Sequence, residues 1–359
     1  MSQQSAHGVA NVAQVAEFDE IIDVRSPAEF AEDHIPGAIN RPVLSDEERA
    51  RIGTLYTQVS PFDARKLGAV LVARNIAAHI ERDLLGRPRH WRPLLYCWRG
   101  GQRSGAFSLV LRQIGWDAQR LEGGYKAWRR HLVGELALLP GRFRFVVVCG
   151  ATGSGKSRVL EALRSGGAQV LHLEDLAAHK GSVLGSLPDI EQPTQKAFET
   201  RLYSALREFD ATRPVFVEAE SRRIGRLQLP DALLERIRAG RCFRVDATFA
   251  ARVDFLLHDY AYVLDDRPWL LDRLARLQGM QSNETLERWR HMVDAGDWRS
   301  LVEELLARHY DPLYQRSQAQ NFAGYRAPAI AFASEDLGPE GIATLATAMR
   351  AASAPAPVG

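Results

Sequence analysis

Phe143-Arg144-Phe145-Val146-Val147-Val148-Cys149 is the most strand-like run in the chain, and it leads directly into Gly150-Ala151-Thr152-Gly153-Ser154-Gly155-Lys156-Ser157. An apolar run rich in β-branched residues and bounded by glycine reads as a buried strand. The loop after it fits G-x-x-x-x-G-K-[ST] in full and is followed by a helical pattern, the context that gives this motif its meaning. Its glycines let the backbone wrap so that successive N–H groups point inward, and the helix start adds the positive end of its dipole. Gly150, Thr152, Gly153, Ser154 and Gly155 are therefore expected to cradle phosphate. Lys156 should reach the terminal oxygens and Ser157 should hold Mg²⁺. The loop does not name the phosphate compound, because a nucleotide and any other diphosphate satisfy the same donors.

Working outward, further strands are expected at Gln169–Leu173, Pro214–Glu218, Arg241–Val245 and Ala329–Ala333, with helical patterns between them. Strand–helix alternation implies a parallel α/β sheet. This second domain spans 142–350, with a helical subdomain at about 269–310 and a frayed tail over Ala351–Gly359. A nucleotide hydrolase wants an acidic residue after another strand to manage Mg²⁺; Glu218 and Glu220 are the candidates, for a metal, for acid chemistry or for substrate. Arg222, Arg223 and Arg226 follow at the sheet end where ligands gather in open α/β folds, and could grip phosphates of an RNA or of the diphosphate.

Upstream of the break at Leu138-Leu139-Pro140-Gly141, the first domain (12–138) carries strand-like Glu20–Val24 and Pro93–Cys97. Helical patterns lie at Arg103–Ile114 and Tyr125–Leu132, and a mostly helical insertion covers Leu44–Arg87. The second of these strands ends in Tyr96-Cys97-Trp98-Arg99-Gly100-Gly101-Gln102-Arg103-Ser104. A cysteine at the end of a strand, before a glycine-rich loop and a helix start, is held as an anion by amides and dipole and becomes nucleophilic. Arg103 and Arg99 add positive charge. That role requires a thiol not packed away from solvent. Cys149 and Cys242 have no such loop and read as structural.

The chain has 359 residues, 46% hydrophobic and 25% charged, enough apolar material for two cores and incompatible with wholesale disorder. Its net charge of +2 demands no global attraction to nucleic acid, although only five of the 46 basic residues are Lys. Three dispersed cysteines form neither a disulfide framework nor a metal knuckle, so neither a resident metal centre nor a tightly bound cofactor is expected beyond Mg²⁺. No stretch has the length of a membrane span, and the start lacks the order of a signal peptide; a cytoplasmic protein is expected.

The first domain resembles the rhodanese family, through the cysteine loop, Asp23-Val24-Arg25-Ser26-Pro27-Ala28-Glu29-Phe30, His34-Ile35-Pro36-Gly37-Ala38-Ile39-Asn40 and Leu121-Glu122-Gly123-Gly124-Tyr125-Lys126-Ala127-Trp128. That resemblance implies sulfur or selenium carried on Cys97 as persulfide or perselenide. Many rhodaneses place the arginine five positions after the cysteine; here Arg103 is six after Cys97, which is also the spacing of cysteine-dependent phosphatases. Rhodanese fused to a phosphate-loop domain resembles the bacterial tRNA 2-selenouridine synthase family. Leu173–Ser182, Val217–Gly225 and His309–Tyr314 match as well, so the likeness runs over about 12–350. It implies alkylation of wobble 2-thiouridine with geranyl diphosphate, in tRNAs for Lys, Glu and Gln, and then replacement of the geranylated sulfur by selenium from selenophosphate. Selenophosphate synthetase is a candidate partner.

An anticodon loop could lie on arginine and exposed aromatics. The helical region offers Arg273, Arg276, Arg288, Arg290, Arg299 and Arg308 with Trp269, Trp289 and Trp298, but tryptophans at helical spacing read first as core. His179 and Lys180, beside Gly181 and Gly185, fit a mobile lid as well as a plain surface loop; Asp311 reads as a turn residue before Pro312. Two rival functions stand beside the transferase. One is a phosphate-loop NTPase or kinase with a non-catalytic rhodanese module; the other is a cysteine-dependent phosphatase, for which Tyr96 stands where a histidine is usual.

Overall fold

The computed structural model describes residues 8–182, 185–186, 190–264, 266–314, 322 and 329–353. They form two compact units, one of residues up to Glu135 together with Thr194–Ser204, the other of Leu136–Pro193 together with Ala205 onward.

In the first unit five strands, β1 (Val9–Ala10), β2 (Glu20–Asp23), β3 (Ile39–Asn40), β4 (Pro93–Tyr96) and β5 (Gln119–Leu121), lie in the order β1-β5-β4-β2-β3. Every neighbouring pair is parallel. All four residues of central β4 are buried, which is why its sequence is an unbroken apolar run rather than an alternating one. Helices α1 (Pro27–Glu32), α2 (Asp46–Gln58), α3 (Pro61–His79), α4 (Gln102–Ile114) and α5 (Gly124–Leu138) connect them. Ser45 with Glu48 forms a reciprocal capping box that starts α2, and at the start of α1 the Glu29 carboxylate accepts from the Ser26 amide at 3.2 Å. The insertion expected over Leu44–Arg87 is α2 and α3, continued by a π-helical turn over Ile80–Leu84.

The second unit has strands β6 (Phe145–Gly150), β7 (Gln169–Leu171), β8 (Val215–Glu218), β9 (Arg223–Ile224), β10 (Leu227–Gln228), β11 (Arg241–Ala247) and β12 (Ile330–Ser334). Its main sheet is parallel, in the order β12-β11-β6-β8-β7, and β9 and β10 form a separate antiparallel hairpin. Its helices are α6 (Lys156–Ser165), α7 (Leu173–Ala177), α9 (Asp231–Arg238), α10 (Phe249–Asp259), α11 (Ala261–Leu264), α12 (Arg267–Ala275), α13 (Asn283–Ala295), α14 (Trp298–Leu305) and α15 (Pro339–Ser353), while most of α8 (Gln195–Arg207) belongs to the first unit. One core joins the sheet to α6 and α15 through Val148, Leu160, Phe243 and Met349. A separate core, centred on Trp289 with Leu270, Val293 and Leu301, holds α11 to α14 together as the helical subdomain. Of the tail expected to fray, Ala351–Ser353 end α15, and residues 354–359 lie outside the described residues.

Thr194–Ser204 packs with the first unit, so the order of the chain is not simply 12–138 followed by 142–350. Phe198 and Leu202 are fully buried, Tyr203 meets Trp128 edge-on at 5.6 Å, and Lys196 Nζ lies 2.7 Å from the Glu32 carboxylate. A single helix bearing apolar residues four apart gives no sign in the sequence of which core it joins.

Candidate functional site: a cysteine loop and a phosphate loop

Cys97 follows β4, at the floor of the loop that leads into α4. The loop is pinned from below by the turn between β5 and α5. Cys97 and Trp98 carbonyls accept from the Tyr125 and Lys126 amides at 2.9 and 3.1 Å, and the Gly100 carbonyl accepts from Arg120 Nη1 at 2.5 Å. Gly100 has φ +63, and a Cβ there would lie 2.3 Å from the Leu121 carbonyl, so only glycine fits. Beneath, Arg25 is fully buried against Asp23 at 2.6 Å and the face of Tyr125 at 4.0 Å. The Tyr125 hydroxyl donates to Asp33 at 2.7 Å. The Asp23–Phe30 motif is thus a buried ionic frame for the loop.

Burial works to raise the Cys97 thiol. The Ser104 hydroxyl, 3.3 Å from Sγ, the Ser104 and Gly101 amides and the charge of Arg103 together outweigh it, and the thiol sits below its ordinary value. Arg103 acts from a distance, because its Nη1 is engaged by Glu29 at 2.9 Å. Burial works to raise Glu29 too, but Arg103, the Ser26 amide and Arg49 hold it below the usual carboxylate range. Arg99 is exposed. In one respect the sulfur departs from expectation: Cys97 is only 4% exposed, packed largely away from solvent rather than on an open surface.

In the second unit the phosphate loop follows β6. Gly150, Gly153 and Gly155 have φ of +157, +81 and +74, the last two well inside the region that glycine alone enters freely. Gly155 is the residue before α6. Lys156 Nζ lies across the loop, donating to the Gly150 and Ala151 carbonyls at 2.7 and 3.3 Å. The Ser157 hydroxyl donates to Glu174 at 2.7 Å. Thr152 is held through its carbonyl by Arg252 Nε at 2.8 Å, and Ser154 Oγ is buried with no hydrogen-bond partner among the described residues. Burial pushes the Lys156 ammonium down against the pull of Glu174 and Glu220. Burial and the charge of Glu218 push Glu174 up, and burial with the charges of Glu174 and Glu218 pushes Glu220 well above the usual carboxylate range.

A cavity of about 310 Å³ opens over this loop, lined among others by Lys156, Ser157, Glu174, Lys180, Glu220 and Tyr310. Running on from it is a narrower slot of about 70 Å³ into the helical subdomain. The two share Thr152, Ser182, Leu256, Tyr260 and Tyr310. Beyond those shared residues the slot is lined only by Val263, Leu264, Leu270, Leu301, Val302, Leu305 and Leu306. A phosphate cradle thus continues into a purely aliphatic channel.

Several expected residues take different roles. Glu218 does not line the cavity. It is fully buried, one oxygen accepts from the Leu173 amide at 2.8 Å, and the other lies 2.5 Å from His172 Nδ1. That burial makes Glu218 a structural anchor and leaves Glu220 as the strand-end carboxylate facing the cavity. Arg222, Arg223 and Arg226 are exposed on and beside the β9–β10 hairpin. None lines the phosphate cavity; Arg222 pairs with Asp231 and Arg226 reaches Gln192. Asp311 forms no turn but a two-pronged pair with Arg252, at 2.6 and 3.1 Å. Trp289 is fully buried. Arg276, Arg288, Arg299 and Arg308 pair with Asp272, Glu304, Asp254 and Glu304. The Lys180 carbonyl and amide close a tight turn with Ser182 and Gly185, and its ammonium pairs with Asp259 at 2.7 Å while facing Tyr260 at 4.2 Å.

The sequence reading missed Ser104, Arg252, Tyr314, whose hydroxyl accepts from the Gly150 amide at 2.6 Å, and the slot. Ser104 had a signal, standing in the first turn of the helix that opens at the cysteine loop, and so had Tyr314, which ends the matching stretch His309–Tyr314. No group of three or more His, Cys, Asp or Glu among the described residues has metal-holding geometry, and no helix among them is long and apolar enough to cross a membrane.

Residues 9–131 match the rhodanese-like domain family, and residues 143–279 match the family described as the tRNA 2-selenouridine synthase AAA domain. A tRNA 2-selenouridine synthase of Alcanivorax borkumensis is 34% identical over 349 residues, covering 87% of this chain and 94% of that protein. One from Marinobacter nauticus is 33% identical over 84% of this chain and 88% of that protein. One from Nitrosomonas europaea is 38% identical over 67% of this chain and 63% of that protein. With both halves matched in order and a relative matched over nearly its whole length, the chain belongs to the tRNA 2-selenouridine synthase family.

Proposed function

We propose that the protein is a transferase that converts 2-thiouridine at the wobble position of tRNA to 2-selenouridine through an S-geranyl intermediate, using geranyl diphosphate and selenophosphate. The observation that carries this reading is the slot: a phosphate loop that opens into an aliphatic channel suits a diphosphate with a hydrocarbon tail. A nucleotide, whose base and ribose need hydrogen-bonding partners, gains nothing from it.

In the first step the loop amides and Lys156 hold the diphosphate, and the tail lies in the slot. The thiocarbonyl sulfur attacks C1 of the geranyl group; the C–S bond forms, the C–O bond breaks, diphosphate leaves with the electron pair, and the base gives up its N3 proton to solvent. Ser157 and Glu174 offer two hard oxygens for Mg²⁺, which when bound neutralises part of the leaving group's charge. Hydrogen-bond donors and cations aimed at a departing phosphate contribute most where water is excluded.

In the second step selenium attacks C2 of the base, the C–Se bond forms, and the alkylated sulfur departs as geranylthiol. Selenium in selenophosphate is already at the selenide level. Attack of the Cys97 thiolate on phosphorus releases selenide and leaves the phosphoryl group on sulfur; water then cleaves the S–P bond, releasing phosphate and restoring the thiol, with no change of oxidation state, whereas a perselenide on Cys97 would need a two-electron oxidant. The exposed Arg222, Arg223 and Arg226 are the candidate contacts to tRNA phosphates.

The test is incubation with thiolated tRNA, geranyl diphosphate and selenophosphate, followed by nucleoside mass analysis. The wild type yields 2-selenouridine and Cys97→Ala stops at S-geranyl-2-thiouridine. Loss of both products in Cys97→Ala, or no S-geranyl nucleoside under any condition, contradicts the reading.

A further inference from the structure

The slot has a shape that does more than shelter a tail. Every polar side chain that lines it, on Thr152, Ser182, Tyr260 and Tyr310, also lines the phosphate cavity. Its inner wall, from α11, α12 and α14, offers no hydrogen-bonding side chain, so it can read only the length and width of what enters. Leu270, Leu301 and Val263 on that wall are 2, 1 and 4% exposed and belong to the subdomain core with Trp289. They form a close-packed wall that yields little. At about 70 Å³ the slot is about half the size of a roughly 150 Å³ cavity that takes benzene. It therefore has room for no more than one five-carbon unit, and any unit before it must lie in the larger phosphate cavity.

We propose that the aliphatic wall of this slot is a ruler for prenyl chain length, with Leu264 on α11 and Val302 on α14 as the residues that tune it. The proposal rests on the prenyl-diphosphate reading above and adds to it a specificity: two isoprene units fit, one underfills the slot, and three overrun it. Leu264 and Val302 are the useful positions because both line the slot while only partly buried. Changing them alters the space without removing a central core residue.

The experiment compares kcat/KM for S-alkylation of thiolated tRNA by dimethylallyl, geranyl and farnesyl diphosphates. Hydrophobic pockets discriminate by about 10–200-fold for small changes in apolar fit. Val302→Phe, which fills the slot, is expected to lose at least about tenfold with geranyl diphosphate while retaining dimethylallyl transfer. Leu264→Ala, which enlarges it, is expected to gain at least about tenfold with farnesyl diphosphate. Affinity for inorganic diphosphate, measured by competition, stays at the wild-type value in both variants, and thermal melts confirm folding. If both variants alkylate tRNA with wild-type ratios among the three donors, the ruler is overturned while the prenyl-transfer reading stands. If the wild type transfers none of the three, that reading falls and the ruler with it.

Discussion

Replacing Ser104 with alanine isolates one of the forces that act on the Cys97 sulfur. The lost hydroxyl lies 3.3 Å from Sγ, on a residue with no exposed surface. A hydrogen bond to a charged group contributes about 1.5–3 kcal/mol, and one pKa unit corresponds to about 1.4 kcal/mol. The Cys97 midpoint should therefore rise by about 1–2 units in Ser104→Ala. At a pH below both midpoints the thiolate fraction falls by about 10–100-fold. The more basic sulfur is intrinsically the better nucleophile, and with a Brønsted slope of about 0.4–0.5 this recovers about 3–10-fold. The net expectation is alkylation about 3–10-fold slower. The assay is the rate of iodoacetamide labelling against pH, read by peptide mass at Cys97. Cys149, pushed far up by the neighbouring Cys242 thiol and by burial, is an internal control that stays unlabelled. An unchanged or lowered midpoint in Ser104→Ala would refute the assignment of the Ser104 hydroxyl as a thiolate donor.

Three other outcomes are expected. Because Cys97 is only 4% exposed, iodoacetamide should label it at least about tenfold faster, relative to a free thiol, than a bulky N-aryl maleimide; equal relative rates would show an open sulfur. Gly100→Ala should sharply lower the melting temperature, since its Cβ would lie 2.3 Å from a carbonyl at φ +63, and a wild-type melt would contradict the close approach drawn between the two turns. His172, desolvated by burial but held by Glu218, has its pKa raised to about 9. A folded pKa above the unfolded value of about 6.5 means stability that is fully present below about pH 6.5 and lost as pH rises through about 9, on the order of 3 kcal/mol. Melts from pH 6 to 9.5 should show this decline in the wild type and a flatter profile in His172→Asn; parallel profiles would exclude the pair as its source.

The parts of the fold and site that the sequence made legible are those whose chemistry is local. Gly150, Gly153 and Gly155 declare a tight loop because glycine is needed within a few residues of one another. β4 and β6 declare themselves because both faces of a central parallel strand are apolar. Cys97 stands out for the same reason, with Gly100 and Arg103 at fixed short distances. What the sequence could not convey was burial and partnership at long range. Glu218 and Glu220 are two residues apart and chemically alike, yet one faces His172 inside the unit and the other the cavity. Asp311 looked like a turn residue because its partner, Arg252, is far away in the chain. The slot is assembled from α10, α11, α12, α14 and the following turn, and its leucines are indistinguishable from core leucines until the helices are placed. Arg103 was expected at the sulfur, but Glu29, inside a motif read for its fold alone, claims its Nη1.

The measurement that bears most directly on the central claim is equilibrium binding of geranyl diphosphate, inorganic diphosphate and ATP to the intact protein and to Lys156→Ala. Burying half of a ten-carbon tail at about 0.8 kcal/mol per carbon contributes about 4 kcal/mol, close to a thousandfold. Geranyl diphosphate should therefore bind about a thousandfold more tightly than inorganic diphosphate and more tightly than ATP, and should weaken in Lys156→Ala. Equal affinity for geranyl and inorganic diphosphate, together with tight binding and turnover of ATP, would contradict it.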